Sequence, residues 1–282
     1  MIDFASLFQK PAENPTPEQL DVWFERIAQR LLCESRVMIA EKPHRYVEVE
    51  IYYYQKEHHP DIFAHKDPVQ LEMGRWYFHR TRGEYRAGSF KGLDLSFGDG
   101  DAYGGVLLRG IEKPDGTLID GPSLHVDYLL EMTGHSKVPN LDEAINERVA
   151  WEEGNPIELV PIEEVEDREI IRTARVGLTL KRSRKSPLPP QYVLKPYRFL
   201  TEPRRTKKGK LHMILGLHAA GKSLEEIKEI TGSTKNTIQR YVDDFEAGRD
   251  EEDFSSYYGK DLKSKDLCRM HGTWYAHYGS TD

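Results

Sequence analysis

The stretch Val47–Tyr54 reads VEVEIYYY, and its first residues alternate between apolar and charged side chains, as in a β-strand. Successive side chains of a β-strand point to opposite faces of a sheet, so Val47, Val49 and Ile51 share one face. The two glutamates then lie on the opposite face with two of the tyrosines. A strand face with two carboxylates is either in contact with water or part of a functional site, and the alternation alone leaves both open.

Composition favours a soluble protein with extended polar surfaces. The 282 residues are 38% hydrophobic and 31% charged, with a formal net charge of −7. No apolar run approaches the roughly 20 residues of a membrane span, and the N-terminus lacks the basic and apolar blocks of a signal peptide. We therefore expect a cytoplasmic protein without a membrane partner. Cys33 and Cys268 are too few for a disulfide framework or a metal cage.

Basic residues are concentrated in one segment of this acidic chain. Between Arg172 and Lys210 there are 13 Lys or Arg residues and one acidic residue, Glu202. Such a segment indicates a surface that binds a polyanion, although a solvated linker would have the same composition.

The order of elements predicts an α+β fold. An amphipathic helix over Pro17–Leu32 precedes several short strand-like runs, including SRVMIA, GRWYFHR, KGLDLSFG and YGGVLLRGIE. Helix patterns follow at LHVDYLLEMTG and NLDEAINERVAWEEG, and ARVGLTLKRS has the pattern of a further strand. The regular strand-helix alternation of a doubly wound fold is missing.

The sequence of the C-terminal region predicts a separate small all-α module. Three short helices are expected after Lys210, with a capping box at Ser223 and a glycine turn at Gly232. The third helix would present Lys, Asn, Gln and Arg side chains outward, as in a helix-turn-helix whose last helix enters the major groove. The expected DNA-contacting residues are Lys235, Asn236, Gln239 and Arg240, with Arg204, Arg205, Lys207 and Lys208 before the module. A protein-docking bundle is the alternative. We place the domains at 1–203 and 204–250, with a tail at 251–282.

Several fragments, in this order, resemble the alkyladenine (3-methyladenine) DNA glycosylase family. VEVEIYYY is similar to that family's V-E-T-E-A-Y strand, and AYGGVLLRGIEKPDG is similar to its core strand. GPSLHVDYLL, TARVGLTL and KPYRF match a helix start and two closing strands. The resemblance covers about Phe4 to Leu200 and implies a mixed, curved, antiparallel-rich sheet with flanking helices. The helix-turn-helix lies outside it.

The resemblance implies roles for particular residues. Glu50 would be the general base that activates water, and Arg109 would lie near that water. Tyr52 and His65 would contact the extruded base. His79 and Asp94 fall where the family has a second stacking aromatic and a discriminating asparagine, so the pocket here would be more polar.

A loop that is longer than the family's should supply the side chain that wedges into the duplex. Tyr85, Arg86 and Phe90 are the candidates, and the sequence does not choose among them. No metal or cofactor is implied. Cys268 and His271 have ligand-like spacing, but two potential ligands do not make a cage.

These inferences predict a monofunctional DNA glycosylase that acts on double-stranded DNA near the nucleoid and leaves an abasic site. Its substrate would be either an alkylated purine, in repair, or a hypermodified base such as a modified cytosine of phage DNA, in defence. The alternative is a non-catalytic, sequence-specific regulator on a glycosylase scaffold. No protein partner is implied.

Overall fold

The computed structural model describes residues 3–181 and 189–279, which form eight α-helices and twelve β-strands. The helices are α1 (Phe4–Phe8), α2 (Pro17–Cys33), α3 (Pro122–Thr133), α4 (Val138–Ile145), α5 (Lys210–Ala219), α6 (Leu224–Thr231), α7 (Lys235–Arg249) and α8 (Ser264–Tyr278). The strands are β1 (Ser35–Ile39), β2 (Lys42–Gln55), β3 (His59–Pro60), β4 (Met73–Phe78), β5 (Arg80–Thr81), β6 (Glu84–Tyr85), β7 (Leu93–Phe97), β8 (Tyr103–Glu112), β9 (Leu118–Asp120), β10 (Ile157–Pro161), β11 (Ile171–Thr173) and β12 (Arg198–Leu200).

A large sheet organises the N-terminal part of the chain. Its central strands run in the order β10-β1-β2-β8-β7-β4, and each neighbouring pair in this order is antiparallel. Strands β5 and β6 form a separate hairpin. The α+β class with an antiparallel-rich sheet, expected from sequence, is therefore confirmed.

The apolar face of β2 packs against α2. Val49 and Ile51 are fully buried, and the Tyr53 ring meets Trp23 and Phe24 of the helix in edge-to-face contacts at 5.7 Å. Such burial of aromatic and β-branched side chains between a helix and a sheet supplies most of the stabilisation of a core. The apolar face of β2 therefore lies in the core formed with α2, and the glutamates point to the opposite face of the sheet.

The chain divides into two compact units. The first comprises residues 3–170 with Phe199–Glu202, and the second comprises the described residues of 171–198 with 203–279. Residues 171–181 and 189–198, which the sequence analysis assigned to the first domain, thus group with the C-terminal helices.

The second unit has the three helices expected after Lys210. Ser223 and Glu226 form a reciprocal capping box at the start of α6, and Gly232 ends that helix in the left-handed conformation. Thr234 caps α7. Helix α8 lies in the tail for which the sequence analysis had no interpretation. None of the helices in the described ranges combines the length and apolarity that crossing a membrane requires.

Two local expectations are wrong. No strand forms over the described part of ARVGLTLKRS, where Gly177 turns the chain at φ +85°. The Arg175 side chain is buried and donates to the Tyr192 carbonyl. The helix expected to run through AWEEG ends at Ile145, since Asn146 adopts a left-handed conformation.

We expect the buried His125 of α3 to make the fold sensitive to acid. Burial lowers the pKa of His125 to about 4, whereas an unfolded histidine has a pKa near 6.5. The unfolded state therefore binds more protons between these values, and stability falls as the pH falls through this window. Between pH 7 and pH 5, the unfolding free energy of the wild type should fall by about 2 kcal/mol more than that of His125→Phe. Urea unfolding at both pH values measures this.

The exposed His58 provides the matched control, because His58→Gln should leave the pH dependence unchanged. Parallel pH curves for the wild type and His125→Phe would contradict the assignment.

Candidate active site

A row of directly opposed residues crosses four strands on the face away from α2. Tyr77 of β4 opposes Asp94 of β7, Asp94 opposes Leu107 of β8, and Leu107 opposes Glu50 of β2. Directly opposed residues in antiparallel strands point to the same face. The sheet therefore brings Glu50 and Asp94 to one face, about two strand spacings or roughly 10 Å apart.

The two glutamates of VEVEIYYY are buried around one arginine. Glu48 and Glu50 are 1% and 0% exposed, so their face is not the solvated surface that the alternation left open. Arg109 Nε lies 2.7 Å from Glu48 Oε1 and 3.3 Å from Glu50 Oε1. Buried charges require such pairing, since desolvation of an isolated carboxylate is costly.

Arg109 remains charged in this environment. Burial acts to lower its pKa, but the charges of Glu50 and Glu48 outweigh burial and hold the pKa well above the ordinary value. A permanently charged guanidinium between two carboxylates fixes both side chains in position.

Tyr52 lies next to Glu50 and is half-buried. Its hydroxyl donates to Glu50 Oε2 at 2.9 Å, a contact that the sequence analysis did not anticipate. Tyr52 opposes Gly105 of β8, which has no side chain to cover the site. A Cβ at Gly105 would lie 2.5 Å from Gln70 Nε2 and 2.8 Å from Asp94 Oδ2, so a larger residue would collide with the neighbouring polar cluster.

This polar cluster surrounds Asp94, which is 2% exposed. Asp94 Oδ1 lies 2.7 Å from His79 Nε2, and Asp94 Oδ2 accepts a hydrogen bond of 2.9 Å from Gln70 Nε2. The His65 and His79 rings are 4.2 Å apart, and the Tyr77 hydroxyl lies 3.5 Å from His65 Nδ1. The structure thus brings together three of the four predicted pocket residues, His65, His79 and Asp94, and adds Gln70 and Tyr77, whereas the fourth, Tyr52, contacts Glu50.

His65 is neutral near pH 7. Burial is the main cause that lowers its pKa to about 4, and the neighbouring His79 adds to the effect. A neutral imidazole can either donate or accept, according to which ring nitrogen holds the proton.

The three wedge candidates differ in exposure. Tyr85 is half-buried, and its hydroxyl donates to Asp142 Oδ2 at 2.5 Å. Arg86 donates to Thr81 Oγ1 at 3.0 Å. Phe90 is 74% exposed at the end of a short 3-10 turn, Gly88–Phe90. Phe90 alone of the three presents an apolar ring to solvent.

The turn that carries Phe90 is held by α3. Ser123 Oγ donates to the Gly88 carbonyl at 2.7 Å, and Lys91 forms an ion pair with Asp127. The exposed Phe90 ring is therefore carried on a turn that two contacts to α3 hold in place.

In the second unit, one face of α7 is polar and exposed. Lys235, Asn236, Gln239 and Arg240 are all exposed, whereas Ile238, Val242 and Phe245 are buried. Lys235 forms an ion pair with Glu225, and Gln239 donates to Asp243 at 2.7 Å.

Only some of the basic side chains in the segment Arg172–Lys210 are exposed. Arg204, Arg205, Lys207 and Lys208 are exposed. Arg175 and Arg198 are fully buried, and Arg198 donates to the carbonyls of Lys208 and Gly209. Residues 182–188 lie outside the described ranges. Composition alone therefore overstates the exposed charge of this segment.

Cys268 and His271 do not share a common ligand position. Cys268 is buried in an apolar cluster with Leu215 and Phe245. The His271 ring instead lies 2.8 Å from His212 Nδ1. A different group has the donor atoms of a metal site: one atom each of His65, His79 and Asp94 lie within 4.8 Å of one another.

Comparison with known proteins gives one similarity without an assigned activity. No family model matches the chain. The chain is 29% identical over 189 residues to uncharacterized protein L759 of Acanthamoeba polyphaga mimivirus, an alignment that covers 61% of this chain and 86% of that protein.

Proposed function

We propose that this protein is a monofunctional DNA glycosylase that extrudes a modified base and hydrolyses its N-glycosidic bond. The observation that carries the proposal is the buried group of Glu48, Glu50 and Arg109 on the same sheet face as the polar cluster around Asp94. An enzyme that acts on an extruded nucleotide needs a base at the sugar and a separate pocket for the nucleobase. A spacing of roughly 10 Å between the two groups suits that division.

In the proposed reaction, Glu50 accepts a proton from a water molecule as the water oxygen bonds to the sugar C1′. The bond from C1′ to the base nitrogen breaks, and its electron pair leaves with the base. Arg109 and the Tyr52 hydroxyl hold the Glu50 carboxylate in place. Because water is the nucleophile, the product is an abasic site in an uncut strand.

The polar character of the pocket favours a base rich in hydrogen-bonding groups. His79 and Asp94 stand where the resembling family has an aromatic residue and an asparagine, so two imidazoles and a carboxylate line this pocket. An alkylated purine remains one substrate class, in repair. A hypermodified base, such as an enlarged cytosine of phage DNA, is the other and would make the protein a defence enzyme. Both of the Asp94 oxygens are already hydrogen-bonded, so we expect Asp94 to act on the base through His79.

Of the three candidates, we propose Phe90 as the side chain that enters the duplex where the base has left. Extrusion of a base leaves a gap in the stack, and an apolar side chain that enters the gap offsets part of the unstacking cost. Phe90 has the exposure and the supported backbone for this role.

Asp94→Asn tests the pocket. An amide cannot accept hydrogen bonds at both positions, so either His79 or Gln70 loses its acceptor. An unpaired buried group costs about 1–3 kcal/mol, which corresponds to a loss of roughly five- to hundredfold in release of the native substrate. Since asparagine is the family's own residue here, we also expect gained release of hypoxanthine or 3-methyladenine. Rates on DNAs that contain each base measure both effects.

Asp115→Asn, in an exposed turn, is the control and should change neither rate. If the wild type releases alkylpurines efficiently and releases no modified pyrimidine, the polar pocket does not select a hypermodified base. Ordinary alkylation repair is then the better account.

Helix α7 is the proposed DNA-binding helix of the second unit. Lys235→Ala with Arg240→Ala should weaken duplex binding and reduce the slope of log affinity against log salt by about 1.8, because each phosphate that the protein no longer neutralises reduces the slope by about 0.9. Fluorescence anisotropy over a salt series measures the slope. Lys260→Ala with Lys265→Ala alters exposed lysines outside α7 and should leave the slope unchanged. An equal change in both double variants would indicate a general effect of reduced charge.

Formation of abasic sites tests the proposed function. Duplex DNAs with different modified bases are incubated with the protein and then heated in alkali, which cuts a strand only where a base is missing. We expect alkali-dependent cutting that requires a modified base. DNA binding without abasic sites on any substrate would instead indicate the non-catalytic regulator.

A further inference from the structure

His65, His79 and Asp94 converge from three separate parts of the chain. His79 directly follows β4, Asp94 lies within β7, and His65 lies in the loop before the 3-10 turn Pro68–Leu71. The sheet pairing of β4 with β7 fixes two of the three positions. One donor atom from each residue lies within 4.8 Å of the others. Two donors fixed by the sheet, with the third already within this distance, can form a site without a large rearrangement.

Asp94 and His65 are also held through their remaining polar atoms, and His79 is held by packing of its ring. Asp94 Oδ2 accepts from Gln70, which leaves Oδ1 toward the histidines. His65 Nδ1 lies beside the Tyr77 hydroxyl, which leaves Nε2 as its other donor atom. The His79 ring packs on Gly92, where a Cβ would lie 2.5 Å from Nδ1, and its Nε2 faces Asp94. Outer contacts of this kind orient the ligands of a metal site.

We propose that His65, His79 and Asp94 bind a divalent first-row transition metal ion, with Zn²⁺ as the best match. Zn²⁺ takes histidine nitrogens at about 2.0–2.1 Å and carboxylate oxygens at about 2.0–2.2 Å. On binding, the metal takes the place of the proton between His79 Nε2 and Asp94 Oδ1, and that 2.7 Å contact widens to about 3.3 Å for tetrahedral ligands.

The donor set selects the class of metal. Two imidazoles and one carboxylate suit zinc, iron or cobalt, whereas Mg²⁺ and Ca²⁺ prefer oxygen ligands alone. A metal ion held by three protein ligands also keeps a fourth coordination position for a small molecule or a base atom, as in catalytic zinc sites.

This inference goes beyond glycosylase activity and does not depend on it. Metal binding is measured on the full chain without DNA, so absence of metal would leave the proposed hydrolysis untouched. Conversely, a protein that binds the metal but releases no base would support the metal site and contradict the proposed hydrolysis.

Chelator-treated full-length protein is titrated with Co²⁺, and the visible d-d absorption bands are followed. A parallel sample is loaded with Zn²⁺, dialysed and analysed by mass spectrometry for metal content. We expect about one equivalent of either metal per chain, with no Co²⁺ displaced by excess Mg²⁺. His79→Gln and Asp94→Asn should each weaken Co²⁺ binding at least tenfold, because the loss of a partner that only orients a ligand already costs about 10–100-fold.

His58→Gln changes an exposed histidine outside the cluster and should bind metal like the wild type. Circular dichroism of each variant ensures that weakened binding does not reflect unfolding, and His65→Gln supplies a third variant if one of the others fails to fold. Less than a tenth of an equivalent in the wild type, or one equivalent retained in all three ligand variants, would overturn the proposal.

Discussion

Glu50→Gln should abolish base release while DNA affinity stays within a few-fold of the wild type. The change removes the proton acceptor but keeps the shape of the side chain and an oxygen for the Tyr52 hydroxyl, which lies 2.9 Å from Glu50 Oε2. Loss of a general base typically lowers the rate on the order of a hundredfold to ten-thousandfold. Single-turnover release of free base, with affinity measured in parallel, separates catalysis from binding.

Glu48→Gln is the matched variant, because it alters the neighbouring carboxylate that is closer to Arg109. We expect it to release base measurably faster than Glu50→Gln. An inactive Glu48→Gln beside a fully active Glu50→Gln would move the general base to Glu48. Full activity in both would contradict the mechanism.

Arg109→Met should destabilise the protein by about 3–5 kcal/mol, because it leaves two buried carboxylates without their guanidinium. Arg109 is 5% exposed and lies within 3.3 Å of both carboxylates, so solvent cannot replace it. The free energy of unfolding in urea measures the destabilisation. The exposed Arg26 gives the control, and Arg26→Met should change stability by less than about 0.5 kcal/mol.

A double variant distinguishes the effect of charge pairing from the effect of packing. Glu48→Gln added to Arg109→Met removes one of the two carboxylates that Arg109→Met leaves without a counter-charge, so part of the stability should return. A double variant less stable than Arg109→Met alone would mean that the two residues do not interact through their charges.

Local patterns predicted the elements well where a single physical signal decides the structure. The alternation of VEVEIYYY places Val49 and Ile51 in the core, and the capping box at Ser223 fixes the start of α6. The strand expected at ARVGLTLKRS does not form: Gly177 turns the chain at φ +85°, and the buried Arg175 side chain donates to the Tyr192 carbonyl. Tertiary contacts of this kind leave no periodic signal in the sequence.

The candidate site was predictable only in part. The resemblance placed Arg109 near the water that Glu50 would activate, and the structure has Arg109 between Glu48 and Glu50. The metal-ligand geometry was missed, since His65, His79 and Asp94 lack the short spacing by which metal motifs are found. Gln70 was missed as well, because its role depends on the close approach of a 3-10 turn to Gly105. Pairing of β4 with β7 brings His79 beside Asp94, and the segment between β3 and β4 brings His65 and Gln70 to them, so only the fold contains that information.

Mass spectrometry of free bases tests the central claim most directly. The protein is incubated with genomic DNAs of different base modification, including phage DNA with enlarged cytosines and DNA with alkylated purines, and the soluble fraction is analysed. The account predicts release of one class of modified base by the wild type and none by Glu50→Gln, with the DNA strands left uncut. Release of no base from any of these DNAs, or equal release by Glu50→Gln, would contradict it.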